Sequence, residues 1–166
     1  MHESGYGSRP DLLPPSVVRL TRTREAGARW VARDGVELLT LEEHLCVERR
    51  ALGGLPRRSD GTVEWDRRPD DVVRTHEADA TALAAEVVAL AEQAASVVVL
   101  DGSLAVPSVR VPTSAAADVV REMTARATEL WVVPDGVPVL LEYAYFQDTV
   151  VRAVVPSVDD GPQDDA

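Results

Sequence analysis

The stretch from Glu129 to Pro156, "ELWVVPDGVPVLLEYAYFQDTVVRAVVP", decides the fold class of the chain. It contains three runs of strand-forming residues, separated by turn-forming residues at 134–136 and at 147–148. Short strands joined by tight turns pair with their neighbours in antiparallel fashion. The stretch therefore predicts a three-stranded meander at the C-terminal end of the domain.

The second turn of this meander also predicts which side chains face one another. A two-residue turn at 147–148 places Tyr143 opposite Arg152, whose guanidinium can then lie against the aromatic ring. Leu141 shares the face of Tyr143 because alternate residues of a strand point to the same side. Glu142 lies on the opposite face, where it is expected either to point to solvent or to be paired.

Upstream of the meander, apolar residues recur at helical spacing in three places and predict helices at 41–52, 80–95 and 114–127. The first helix begins with a capping box, in which the side chains of Thr40 and Glu43 satisfy each other's free amide groups. Alternating or β-branched runs predict further strands at 16–23, 28–33, 36–39 and 97–100.

These elements predict a single α+β domain over residues 16–155. It has an antiparallel or mixed sheet, about three flanking helices and the C-terminal meander. The 166 residues, 45 % of them hydrophobic, suffice for one core but not for two ordinary domains. Residues 1–15 and 156–166 are rich in turn-forming or acidic residues and are expected to be disordered tails.

Composition excludes several classes of chemistry. Cys46 is the only cysteine, so an internal disulfide and a multi-cysteine zinc site are excluded. The chain has no lysine, which excludes a phosphate-loop lysine and a Schiff base. It also lacks asparagine and isoleucine, a pattern typical of high-G+C bacterial or phage genes. No run suits a membrane span or a signal peptide, so we expect a cytoplasmic protein.

Charge is divided unevenly along the chain, whose formal net charge is −11. Residues 75–166 hold 15 acidic side chains against 4 arginines, so the whole excess of acid lies in that half. Such a field repels nucleic acids and anionic membranes and favours a basic protein partner or cations. Acidity can also serve solubility alone.

Asp101 follows an apolar run in "SVVVLDGSL" at 96–104, the place where α/β enzymes put ligand-binding carboxylates. This stretch resembles the first motif of haloacid-dehalogenase-type phosphatases. However, Val99 occupies the position of the nucleophilic aspartate of that family, and the lysine of that family has no counterpart in this chain. We therefore reject the resemblance. Asp-Gly is a strong turn signal, so Asp101 is predicted to open a turn, with the chain returning as a strand at 104–106.

Two histidines and the cysteine are candidates for a metal site or a nucleophile. His44 and Glu48 are four residues apart and share a helix face, but a metal site would need His76 or an acid from elsewhere in the fold. His44 and Cys46 are two residues apart and project in different directions, so they do not form a thiolate–imidazole pair. Cys46 is expected to be buried and inert, and no metal ligand, cofactor or catalytic residue is predicted.

The segment 53–74 is predicted to be a long loop with a possible short edge strand near Trp65. Its four arginines could clamp a phosphate or carboxylate group. Nearby acidic residues leave the segment without net positive charge, so internal ion pairing is the competing interpretation. The arginines are Arg57, Arg58, Arg67 and Arg68.

Three hypotheses of function follow. The first is a non-catalytic acidic protein that binds a basic protein partner, for example an immunity or antitoxin-like inhibitor of a basic effector. The second is a small enzyme or ligand-binding domain with a site at the loop 53–74, built from Arg58, Trp65, His44 and Glu48. The third is a structural or assembly subunit of a phage or secretion machine, for which no sequence feature speaks directly.

Overall fold

The computed structural model describes residues 33–103 and 106–155, and the strands among them form one sheet. In chain order, the α-helices and β-strands of this part are β1 (Glu37–Leu38), α1 (Leu41–Leu52), β2 (Val72–His76), α2 (Ala80–Val88), β3 (Ser96–Asp101), β4 (Val109–Pro112), α3 (Thr113–Thr124), β5 (Glu129–Pro134), β6 (Val139–Ala144) and β7 (Thr149–Val154). Two short 3-10 helices, Trp65–Arg67 and Pro69–Asp71, precede β2, so Trp65 does not lie in an edge strand. The strand order across the sheet is β1-β4-β3-β5-β6-β7-β2, and every pairing is antiparallel. The predicted α+β class, the three helices and the C-terminal meander are confirmed.

The two faces of the sheet are covered by different parts of the chain. Helices α2 and α3 pack on one face, where Leu83 and Val120 meet Val99 and Leu141. Helix α1 and the loop after it cover the other face. Because alternate residues of each strand point to opposite faces, neighbours in sequence belong to different cores. The long unbroken apolar runs of β3 and β5 follow from this burial on both sides.

The helices begin close to where the sequence places them. The capping box of α1 is formed: Thr40 Oγ1 accepts the Glu43 N–H at 3.0 Å, and Glu43 Oε2 accepts the Thr40 N–H at 2.8 Å. Helix α2 ends at Val88 rather than at residue 95, and short-range turns lead from it towards β3. Helix α3 ends at Thr124, three residues earlier than predicted.

The predicted register of the β6–β7 pair is wrong by two residues. Leu141, not Tyr143, faces Arg152, and the connection is a four-residue turn, Tyr145–Asp148. Asp148 adopts a left-handed backbone with φ of 53°, a conformation that aspartate tolerates better than most residues. Arg152 does not lie against the Tyr143 ring, because its Nη1 donates to Glu86 Oε2 at 3.2 Å.

Other boundaries also differ from the sequence prediction. Most of the predicted return strand at 104–106 lies outside the described residues; Val106 is not in a strand, and β4, which pairs with β3, begins at Val109. The predicted loop 53–74 contains an isolated antiparallel bridge between Arg57 and Val63, and its last residues begin β2. The predicted strand 16–23, most of 28–33 and both predicted tails lie outside the described residues.

Candidate functional site

The four arginines of the segment 53–74 are engaged by neighbouring carboxylates. Arg57 Nη1 lies 2.8 Å from Glu48 Oε1 and Arg58 Nη2 lies 3.7 Å from Asp66 Oδ2. Two shorter-range pairs complete the set: Arg67 with Glu64 at 3.1 Å, and Arg68 with Asp71 at 2.6 Å. The pairing interpretation of this segment is therefore confirmed, and the arginines do not converge on one anion.

A buried carboxylate that the sequence left unassigned lies beneath this segment. Glu142, on β6, is 1 % exposed, and three donors from two other elements point at it. Its Oε1 accepts the indole N–H of Trp65 at 2.8 Å. Its Oε2 accepts the indole N–H of Trp131 at 2.8 Å and the backbone N–H of Val63 at 2.9 Å. Glu142 thus connects the loop after α1, through Val63 and Trp65, with strand β5 in the centre of the sheet, through Trp131.

The donors to Glu142 in the described part of the chain are all neutral, so none of them brings a positive charge to the carboxylate. Burial raises the pKa of Glu142, while the three hydrogen bonds and the charge of Arg58 act in the opposite direction. Arg57 lies over the Trp131 ring, with its guanidinium carbon 5.2 Å from the centroid. Because Glu142 is buried and three protein donors occupy both of its oxygens, this carboxylate holds structure rather than meeting a substrate.

His44 is buried and takes part in a serine–imidazole–carboxylate array. Its Nδ1 lies 2.8 Å from Ser108 Oγ, and its Nε2 lies 3.6 Å from Glu48 Oε2. The expectation that His44 and Glu48 share a helix face is thus confirmed. Ser108, which the sequence did not single out, is 2 % exposed, and its Oγ also accepts the Asp101 N–H at 3.0 Å. A nucleophile must reach its substrate, and this enclosed hydroxyl is occupied by the protein's own groups.

The two histidines lie in different parts of the fold. His76 Nε2 lies 2.9 Å from Glu86 Oε1, and Glu86 also accepts from Arg74 and Arg152. Within residues 33–103 and 106–155, no three His, Cys, Asp or Glu side chains are grouped to hold a metal ion. Cys46 is exposed on α1, so the expectation of a buried cysteine is wrong: the helix buries His44 and Val47 instead.

Asp101 is buried at the end of β3, where its side chain shapes the following turn. Its Oδ1 accepts the Ser103 N–H at 2.8 Å, which is the local hydrogen bond that favours aspartate in turns. Burial raises the pKa of Asp101 to about 6, and the nearby charge of Glu129 acts in the same direction. This local hydrogen bond agrees with a turn-forming side chain, but Asp101 is itself the last residue of β3, and the predicted two-residue hairpin at Asp101 does not form, because Val99 pairs with Val109.

The strongest candidate for an interaction surface is the turn between β6 and β7, which we call the aromatic turn (Tyr145–Asp148). Tyr145 is 58 % exposed and Phe146, the only phenylalanine of the chain, is 73 % exposed. Their rings meet edge to face, with centroids 5.5 Å apart and an interplanar angle of 76°. Exposed aromatic side chains that support each other in this way are typical of residues that anchor protein partners.

Carboxylates from four separate segments lie at the same end of the sheet, which we call the acidic end. Each is hydrogen-bonded by a neutral donor: Asp60 by Gln147 and Thr62, Asp79 by Ala82, Glu129 by Thr128, and Asp148 by Ala78. Neutral donors fix the position of a carboxylate without cancelling its charge. The pKa of Asp60 is lowered, chiefly by its hydrogen bonds from Thr62, so this group is ionised at neutral pH.

A cavity of about 200 Å³ lies at the other end of the sheet, between α1 and the β5–β6 turn. Arg50, Pro138 and Val155 are among its lining residues, and none of the candidate residues from the sequence lines it.

None of the helices in the described part of the chain is both long enough and apolar enough to cross a bilayer. No protein-family model matches the chain, and no curated protein matches it.

Proposed function

We propose that this chain is a non-catalytic cytoplasmic binding protein that engages a basic protein partner through its acidic end. An immunity or antitoxin-like inhibitor of a basic effector in a bacterium is the most concrete form of this proposal. The observation that supports it is the aromatic turn, because its two exposed rings lie among carboxylates whose hydrogen bonds come from neutral groups.

The two features have complementary roles in such an interface. An aromatic pair supplies apolar area at a low entropic cost, and these residue types dominate binding energy at interfaces. The carboxylates of Asp60, which contacts Gln147 of the turn, and of Asp148, the last residue of the turn, speed the encounter with a basic surface and make it sensitive to salt. A cleft is not required, since protein partners bind to flat or convex surfaces of this kind.

Comparative capture tests the proposal. The immobilised chain, the double variant Tyr145→Ala/Phe146→Ala and a control variant Leu41→Ala/Leu45→Ala are each exposed to lysate of the source organism. The control removes two exposed apolar residues of α1 and leaves the aromatic turn unchanged, so it tests whether any loss of exposed apolar surface has the same effect.

The proposal expects a basic protein that is retained by the wild type and by the control, is lost from the aromatic variant, and is released as salt is raised. Equal retention by all three proteins would contradict it, and so would the absence of any salt-sensitive basic protein.

A further inference from the structure

Helix α1 has an exposed face opposite the face that packs on the sheet. His44 and Val47 project into the protein. The residues at spacing i, i+3, i+4 and i+7 from position 42 lie together along the outside of the helix, because this spacing follows one side of a helix. All four are exposed. We call this set the α1 stripe: Glu42, Leu45, Cys46 and Arg49.

The α1 stripe is apolar at its centre and oppositely charged at its two ends. Leu45 is 41 % exposed, and Leu41 beside the stripe is 53 % exposed. Glu42 lies in the first turn of the helix and Arg49 in the last. These two residues are about 10 Å apart along the axis, too far to pair with each other. The side chain of neither is in an ion pair with another residue of the described part of the chain, so both charges are available to a second molecule.

A second copy of the chain complements this stripe when two α1 helices meet in antiparallel orientation. A two-fold axis between positions 45 and 46 places Glu42 of each copy opposite Arg49 of the other and brings the apolar centres together. Both ion pairs form at once because the spacing from Glu42 to Arg49 is the same in each helix. A parallel pair would instead place like charges opposite each other, which is unfavourable.

The distribution of charge also favours a second copy over a basic partner at this face. The acid excess of the chain lies in residues 75–166, so two copies repel each other through that half. Helix α1 carries two acidic residues in its first turn and two basic residues in its last turn, so these two ends balance. A balanced face is one through which two acidic molecules approach each other at a low electrostatic cost.

We propose that the α1 stripe is the interface of a weak antiparallel homodimer. This inference goes beyond the proposed function and does not depend on it, because the aromatic turn shares no residue with the stripe. One pair of short helices buries less surface than the roughly 1,200–2,000 Å² of a stable protein interface. We therefore expect a dissociation constant of about 10–100 μM.

Charge reversal tests both the interface and its orientation, with sedimentation velocity as the measurement at physiological salt. The variants are Glu42→Arg, Arg49→Glu and the two substitutions combined. The control Glu77→Arg makes the same change of charge at an exposed position outside α1. Each single variant places like charges opposite each other at both ends of the antiparallel pair, so its dissociation constant should rise about tenfold or more.

The antiparallel orientation predicts a specific rescue. A mixture of Glu42→Arg and Arg49→Glu should form a heterodimer, and the combined variant should form a homodimer, because each arrangement restores both ion pairs. Glu77→Arg should dimerise as the wild type does. Helical circular dichroism of each variant checks that α1 is still folded.

Cross-linking through the native cysteine tests the same interface without changing a charge. Cys46, the only cysteine, lies next to the proposed axis, so a short bis-maleimide should join two wild-type chains. The control Cys46→Ala/Val88→Cys moves the thiol to an exposed position of α2 and should yield no joined chains at the same concentration.

A wild type that stays monomeric at every concentration would overturn the inference, and so would equal dimerisation of the wild type and the single charge variants. Single variants that remain monomeric when mixed would contradict the antiparallel pairing. If a charge variant loses its helix, the cross-linking decides: equal yields from positions 46 and 88, or none from position 46, would exclude the α1 stripe as the interface.

Discussion

Two glutamates, Glu86 and Glu142, are both buried in this fold, yet their surroundings are opposite. Glu86, on α2, bonds to Arg74, His76 and Arg152 near the edge of the sheet. Glu142 lies in the middle of the sheet on the other face and accepts only neutral N–H groups. The bonds that Glu86 makes lower its pKa despite its burial, whereas burial raises the pKa of Glu142. Burial alone thus does not decide the direction in which the pKa of a carboxylate shifts, because charged donors can outweigh it.

The same difference, between charged and neutral partners of carboxylates, distinguishes two surfaces of the molecule. Around the loop after α1, arginines pair with the carboxylates, so the local charge is cancelled. At the acidic end, neutral donors hold Asp79 and Asp148 in place and do not cancel their charge. Asp60, at the tip of the loop, is also held by neutral donors, but the charge of Arg58 acts on it as well. We infer that the first arrangement holds the fold together and that the second is available to a partner.

The largest expected effect comes from removing the two carboxylates by leucine substitution. Glu142→Leu leaves three buried donors without an acceptor and should lower the free energy of unfolding by about 4 kcal/mol. Glu86→Leu should cost about 2 kcal/mol, because Arg74 and His76 are partly exposed and can turn to water, which leaves Arg152 as the one largely buried partner without its carboxylate. Urea denaturation at pH 7 measures both values. A larger loss of stability for Glu86→Leu than for Glu142→Leu would show that the hydrogen bonds of Glu142 with its neutral donors do not stabilise the fold more than the bonds of Glu86.

Asp101 extends the comparison because burial raises its pKa from 3.8 to about 6. A folded-state pKa above the unfolded value means that the folded protein binds more protons between these two pH values, so this group lowers stability as pH rises through them. Asp101→Asn keeps the acceptor for the Ser103 N–H and should stabilise the fold by up to about 3 kcal/mol at pH 7. The gain should vanish near pH 3.8. A gain of equal size at both pH values would mean that ionisation is not its cause.

Glu86 should show the opposite dependence on pH. Its pKa is lowered in the folded state from the ordinary 4.5, so the stability that it contributes is complete above that value and is lost as pH falls through the folded-state pKa. Glu86→Gln should therefore cost about 2 kcal/mol at pH 7 and progressively less in acid. Thermal melts of both proteins as pH is lowered check this, and parallel curves would contradict it.

The smallest expected effect concerns the arginines of the loop. Arg57 pairs with Glu48 and lies over the Trp131 ring, whereas Arg67 is exposed and, among the described residues, pairs with Glu64 alone. Arg57→Ala should cost about 1 kcal/mol and change the tryptophan emission spectrum, and Arg67→Ala should do neither measurably. Equal effects of the two substitutions would remove the contribution of the cation–π contact.

The sequence predicts this fold well where the signals are local. The capping box at Thr40 and Glu43 marks the start of α1 correctly because both hydrogen bonds lie within one turn of helix. The β6–β7 register is wrong by two residues because a shift of two leaves every side chain on its own face. Alternation therefore cannot distinguish a two-residue turn from the four-residue turn that forms.

The candidate site is less predictable because its contacts are distant in sequence. Alternation along β6 predicts that Glu142 lies on the other face of the sheet from Leu141 and Tyr143. It does not predict that Trp65, 77 residues earlier, donates a hydrogen bond to Glu142. Ser108 next to His44 is missed for the same reason, since 64 residues separate them. The exposure of Cys46 could have been predicted from the sequence, because His44 and Val47, which α1 buries, project from a different side of the helix than Cys46 does.

Site-specific photo-cross-linking tests the central claim most directly. A photoreactive phenylalanine analogue is placed at Phe146 in one protein and, as a control, at Val88 in another; Val88 is an exposed apolar residue of α2 on the opposite face of the sheet from α1. Irradiation in living cells of the source organism should yield a discrete adduct with a basic protein from position 146 and none from position 88. The same adducts from both positions, or none from position 146, would contradict the account.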